Sequence, residues 1–153
     1  MVNNAYGVTI FCDDLRTEST GKHIYIGVYE DGMVVEENFP ITLPTFIFAI
    51  RLLEPIKEKG RSVNIKVIFD KDGDESVIID SDLPDDRWNV LDRPDFDKGS
   101  EFIGSVFIVK VSPLVIDSEG YLRVRAFRGD QVVKLGSMSI KSRSRLGFTE
   151  ARA

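Results

Sequence analysis

The stretch Tyr121-Leu122-Arg123-Val124-Arg125-Ala126-Phe127-Arg128-Gly129-Asp130-Gln131-Val132-Val133-Lys134-Leu135 decides the fold class. Leu122, Val124 and Ala126 alternate with Tyr121, Arg123, Arg125 and Phe127, the period of a strand with one face in a core. Gly129-Asp130 fits a two-residue hairpin turn, because both residues tolerate the positive φ such turns require. A two-residue turn sets the register: Arg128 faces Gln131, Phe127 faces Val132 and Arg125 faces Lys134.

The same period of two recurs upstream. Ile24, Ile26 and Val28 alternate with His23, Tyr25, Gly27 and Tyr29, and are assigned to the core face. Val63, Ile65, Val67 and Phe69 do the same, as do Phe107, Val109 and Val111. Asp31-Gly32 and Asp72-Gly73 mark two further hairpin candidates, and Glu119-Gly120 turns the chain into Tyr121. Thr45–Glu54 is bracketed by Pro44 and Pro55, and its β-branched and aromatic load favours a strand. Ile56–Gly60 is long enough for one helical turn. Eight or nine strands result, near 5–12, 23–29, 33–36, 45–54, 62–70, 75–81, 103–112, 121–128 and 131–140. Ser81–Ser100 is the one long irregular stretch, rich in Asp, with Trp88, Val90, Leu91 and Phe96 as its only anchors. The expected architecture is an all-β antiparallel sandwich, with a closed or partly open barrel as the alternative. It forms one domain over 1–145, followed by a tail over 146–153.

Composition limits the chemistry. The 153 residues are 42% hydrophobic and 29% charged, ordinary globular stock. One Cys and one His exclude a disulfide framework and a Cys/His zinc cluster within the chain. They also leave little of the commonest general base. The N-terminus lacks a basic and an apolar signal region, and the longest apolar stretch, Phe46–Leu53, contains Arg51. A cytoplasmic protein with no membrane contact and no cofactor is expected, with Cys12 a buried thiol near a strand end.

Phe11-Cys12-Asp13-Asp14-Leu15-Arg16, then Gly21-Lys22, Ile26-Gly27-Val28-Tyr29 and Leu43-Pro44, form a pattern over residues 8–44. It resembles a family of small uncharacterised bacterial and phage-associated proteins. The resemblance implies a bacterial or phage origin and carries over no catalytic residue.

Candidate motifs are few. Asp70, Asp72 and Asp74 flank Gly73, but an EF-hand would need Gly where Glu75 stands and Glu where Ser81 stands. A speculative calcium site remains, gathering these three with Asp13, Asp14, Asp85 and Asp86 from neighbouring loops. The bland reading is a polar turn. Cys12 with His23 suggests a nucleophile and a base, against the simpler reading of a buried thiol and a structural imidazole. Arg128-Gly129-Asp130 is read as a hairpin tip rather than an adhesion motif. A carboxylate-based hydrolase using the Asp-rich 81–100 loop is the competing enzyme class. No phosphate loop or dinucleotide fingerprint occurs.

The formal charge of −5 is unevenly spread. Residues 121–153 hold eight Lys or Arg and two acids, a net +6, whereas residues 1–120 hold 12 basic and 23 acidic residues, a net −11. Arg125 opposite Lys134 is an unfavourable like-charge pair unless an acidic strand or a ligand anion lies beside it. Tyr121, Arg123, Arg125 and Lys134 are therefore the candidate anion- or partner-binding face. The expected function is a non-catalytic interaction module with an unidentified protein partner, free to self-associate through edge strands. Nucleic acid is disfavoured as the ligand. A phage-related structural component is a further alternative.

Overall fold

The computed structural model describes residues 4–143. It is an all-β sandwich of eleven strands: β1 (Tyr6–Thr17), β2 (His23–Val28), β3 (Met33–Val35), β4 (Ile41–Leu43), β5 (Phe46–Pro55), β6 (Asn64–Lys71), β7 (Asp74–Asp82), β8 (Phe102–Val111), β9 (Leu114–Ile116), β10 (Gly120–Arg128) and β11 (Gln131–Ser142). One sheet has the order β2-β1-β5-β8, the other β3-β11-β10-β6-β7, and β4 pairs with β9 as a small flap. All pairings are antiparallel except β3 with β11. Among the described residues neither large sheet closes into a barrel. No helix there is long and apolar enough to cross a membrane. The expected tail, 146–153, lies outside the described residues.

Alternation places the core. Phe46, Phe48, Ile50 and Leu52 of β5 meet Leu122, Val124 and Ala126 of β10, with Ile65 and Val67 of β6 and Leu135 and Ile140 of β11. Phe48 holds Phe46 and Phe11 edge-on, at centroid distances of 5.0 and 5.9 Å. Each such side chain, fully buried, contributes roughly 1.5–3 kcal/mol. A second cluster of Cys12, Ile47 and Ala49 lies on the other face of the first sheet, so β5 is buried on both sides.

The two sheets join along one side, where β1 runs against β11. Small residues make this possible. A Cβ at Gly7 would overlap the Arg51 carbonyl oxygen and sit 2.9 Å from the Leu135 side chain. Gly136 faces Thr9 and Phe11 with φ at 128°, a conformation open to glycine. Among the described residues the opposite side, between β7 and β8, has no such strand seam, and the segment after β7 reaches β8 instead.

Several expectations need correction. The Asp31-Gly32 turn does not close a hairpin, because β2 and β3 belong to different sheets. Ile24, Ile26 and Val28 alternate as expected but point outward, 44%, 38% and 47% exposed. β2 pairs only with the distal half of β1, away from the core. Cys12 is buried in mid-strand, since β1 continues to Thr17. β4 and β9 are additional strands of three residues each, too short to show a period. The turn after Pro55 is a 3-10 turn over Ile56–Glu58.

The irregular stretch after β7 is an ordered cover. Asp85–Asp92 is a 3-10 segment seated by Trp88, which is 4% exposed. Its Arg87 donates through Nε and Nη2 to the buried Glu54 carboxylate at 2.7 and 3.1 Å, and through Nη2 to the Arg61 carbonyl at 2.6 Å. Arg128, fully buried, donates to Glu58 Oε2 at 2.6 Å and Gln131 Oε1 at 2.9 Å, and its Nε lies 3.4 Å from Glu54. Two arginines and two glutamates thus fasten the cover, the 3-10 turn and the end of β10 together.

Candidate functional site

The residues of the candidate face come from β10 and β11, whose register matches the sequence reading: Arg125 opposite Lys134, Phe127 opposite Val132, Arg128 opposite Gln131. A bulge follows. Val124 pairs with Gly136, so Leu135 is the extra residue, and the left-handed Gly136 accommodates it. The bulge opens a shallow depression of ≈ 510 Å³ on the outer face of the five-stranded sheet. Asp70, Arg123, Arg125, Lys134 and Ser137 line it.

The acidic neighbour required by the like-charge pair is present twice. Arg123 donates from Nε to Asp70 Oδ2 at 2.9 Å. Arg125 donates from Nη1 to Glu75 Oε1 at 3.1 Å. Asp70 is positioned by its β6 place opposite Tyr121 and by the turn that follows, where its Oδ1 accepts from the Gly73 amide at 2.8 Å. The Arg123 hydrogen bond first, and the Gly73 amide second, hold its carboxyl below the usual range. Tyr121 stacks beneath Arg123, with the guanidinium carbon 4.7 Å from the ring centroid. Lys134 is exposed at the rim. The four sequence-derived residues therefore form one surface, with Arg123, Arg125 and Lys134 beside Asp70 and Glu75, and with Lys66 opposite Arg125 on β6 and 3.7 Å from Asp80.

The Asp70, Asp72 and Asp74 set is a hairpin turn in which Asp72 takes the positive φ of 50°. Asp70 is engaged by Arg123, and Asp13 accepts from the Tyr29 hydroxyl at 2.6 Å. Among the described residues no three His, Cys, Asp or Glu side chains are placed to hold a metal ion. Asp70 is the one carboxylate lining the depression, and its lowered pKa is the opposite of what a glycosidase's general acid needs. Cys12 and His23 lie far apart along the β1–β2 ladder, Cys12 opposite Val28 and His23 opposite Thr17. Burial pushes the Cys12 thiol up, the opposite of an activated nucleophile. His23 bonds Thr17 Oγ1 at 3.2 Å. Arg128 of the Arg-Gly-Asp tripeptide is buried in the ionic cluster, so the tripeptide is not displayed.

Sequence reasoning missed that cluster and the apolar outer face of the first sheet. The cluster had a signal. Glu54 continues the inward positions of Ile50 and Leu52, and Arg128 continues those of Leu122, Val124 and Ala126. A charge at a core position implies a buried partner. On the outer face, Val8 and Val106 are each 57% exposed above the buried Cys12, Ile47 and Ala49.

No curated protein matches this chain. The family of unknown function DUF6941 matches residues 7–141, and the chain belongs to that family.

Proposed function

We propose that the chain is a non-catalytic interaction module, and that the bulge-formed depression on β10 and β11 takes an acidic segment of a protein partner. The observation that supports this is the arrangement of its arginines. Arg123 engages Asp70 through Nε and Arg125 engages Glu75 through Nη1, so both guanidinium groups are fixed while further N–H donors remain. Fixing them beforehand lowers the ordering cost of binding. The two carboxylates cancel most of the positive field, leaving Lys134 as the surplus charge. Such a surface suits one well-placed carboxylate of an acidic segment and is poorly suited to a nucleic-acid backbone. Anisotropy of a labelled acidic peptide tests the reading. Binding should weaken with salt and fall at least tenfold in Lys134→Glu. Equal binding by both proteins would refute it.

A second reading, a structural part of a bacterial or phage-related assembly, is favoured by a different observation, the strand edge described next.

A further inference from the structure

Four strands end the two large sheets sideways, and three carry devices that discourage pairing with another chain. β3 has three residues. β7 bears acids at both ends, and its register with β6 shifts at Val67/Ile68. β2 is interrupted by Gly27 at a φ of 68°. β8 has none of these. It runs ten residues, Phe102–Val111, in unbroken register with β5, and carries one charge, Lys110. Among the described residues no strand pairs with its free edge. Phe107, Val109 and Val111 pack on the core yet stay only half-buried, and the Asp85–Asp92 cover reaches β8 without adding a strand to its edge.

We infer that the β8 edge is covered by β8 of a second copy of this chain, paired antiparallel about a two-fold axis through Val106. Two copies related in this way keep the same faces in register, so opposed residues share parity. With Val106 opposite itself, Lys110 faces Phe102, an aromatic ring rather than a like charge, and Ile108 faces Gly104, large against small. The same operation about the middle of β7 would set Asp74 opposite Asp82. Charge therefore permits self-pairing on one edge and opposes it on the other. The pair joins two four-stranded sheets into one of eight strands, whose outer face carries the exposed Val106 of both copies at the axis with Arg51 beside each. Ten residues on each side supply on the order of ten hydrogen bonds, the complement of a specific interface.

The inference is independent of the depression on the other sheet. Light scattering over a concentration series tests it on the full chain. The expected result is a dimer of the 17.2 kDa chain, with Val106→Lys weakening dimerisation at least tenfold. Val106 is exposed, so the variant should keep the wild-type circular dichroism spectrum and acidic-peptide binding. A second variant, Val106→Cys, should cross-link to its own copy under mild oxidation, while the buried Cys12 stays free. A monomer at every concentration would overturn the inference. So would a dimer that Val106→Lys leaves intact.

Discussion

Arg128 shows most clearly what a single residue does here. It is fully buried, and it supplies charge to Glu54 and Glu58 from two directions. Replacing it with Met leaves both carboxylates short of a partner, one of them with no access to water. Removing one member of such a buried set costs about 3–5 kcal/mol. Urea denaturation of Arg128→Met should show a loss of that size. Arg61→Ala should cost under ~1 kcal/mol, because its pair with Glu58 is long, at 3.6 Å, and partly exposed, and Glu58 keeps Arg128. Asp70 adds a pH effect. Its pKa is lowered in the folded chain, so its contribution is present above the ordinary carboxylate range and is lost as pH falls through the folded value. In Arg123→Ala, the Asp70 titration followed by carbon NMR should move upward, and the wild type's advantage in stability should shrink in acid. An unchanged titration would mean that Arg123 does not hold this carboxylate. The ionic cluster escaped sequence reading because its members stand at 54, 58, 87 and 128. Only the parity of Glu54 and Arg128 betrayed it.

At the scale of elements, turn chemistry was the most legible feature. Gly129-Asp130 sets the β10–β11 register and Asp72-Gly73 closes the β6–β7 hairpin, since a short turn leaves the flanking strands no other pairing. Asp31-Gly32 has the same local signal, yet the chain crosses between sheets there. Tertiary packing decided that connection. Alternation in β2 was equally clear but did not say which face was inward, because the outer face of this sheet is itself apolar. The β1–β11 seam rests on glycine. Gly7→Ala would press a methyl group into the Arg51 carbonyl and Leu135, and overpacking of this kind costs about 1–3 kcal/mol. Gly136→Ala has room for the methyl, with Thr9 3.6 Å away, so its cost is conformational, about 1–3 kcal/mol for a backbone region that side chains other than glycine's rarely enter. Denaturation should show both variants destabilised. A Gly7→Ala variant as stable as the wild type would place the tight contact elsewhere.

For the whole molecule, the charge distribution along the sequence is not its distribution in space. The acid-bearing β6 and β7 and the basic β10–β11 hairpin become neighbours when β6 lies beside β10. Asp70 and Glu75 then neutralise Arg123 and Arg125, and what remains is a small cationic rim instead of a basic stripe. The sandwich was legible from strand count and turn spacing. The candidate face was legible from the hairpin register alone, but its acidic half was not, because 53 residues separate Asp70 from Arg123. The central claim is that this depression is where the module meets its partner. A residue-resolved NMR titration of the labelled chain with an acidic peptide, and separately with inorganic phosphate, tests it most directly. The account expects amide shifts concentrated at Tyr121, Arg123, Arg125, Lys134 and Ser137, and lost in Lys134→Glu. Shifts confined to the four-stranded sheet, or scattered evenly over both, would contradict it.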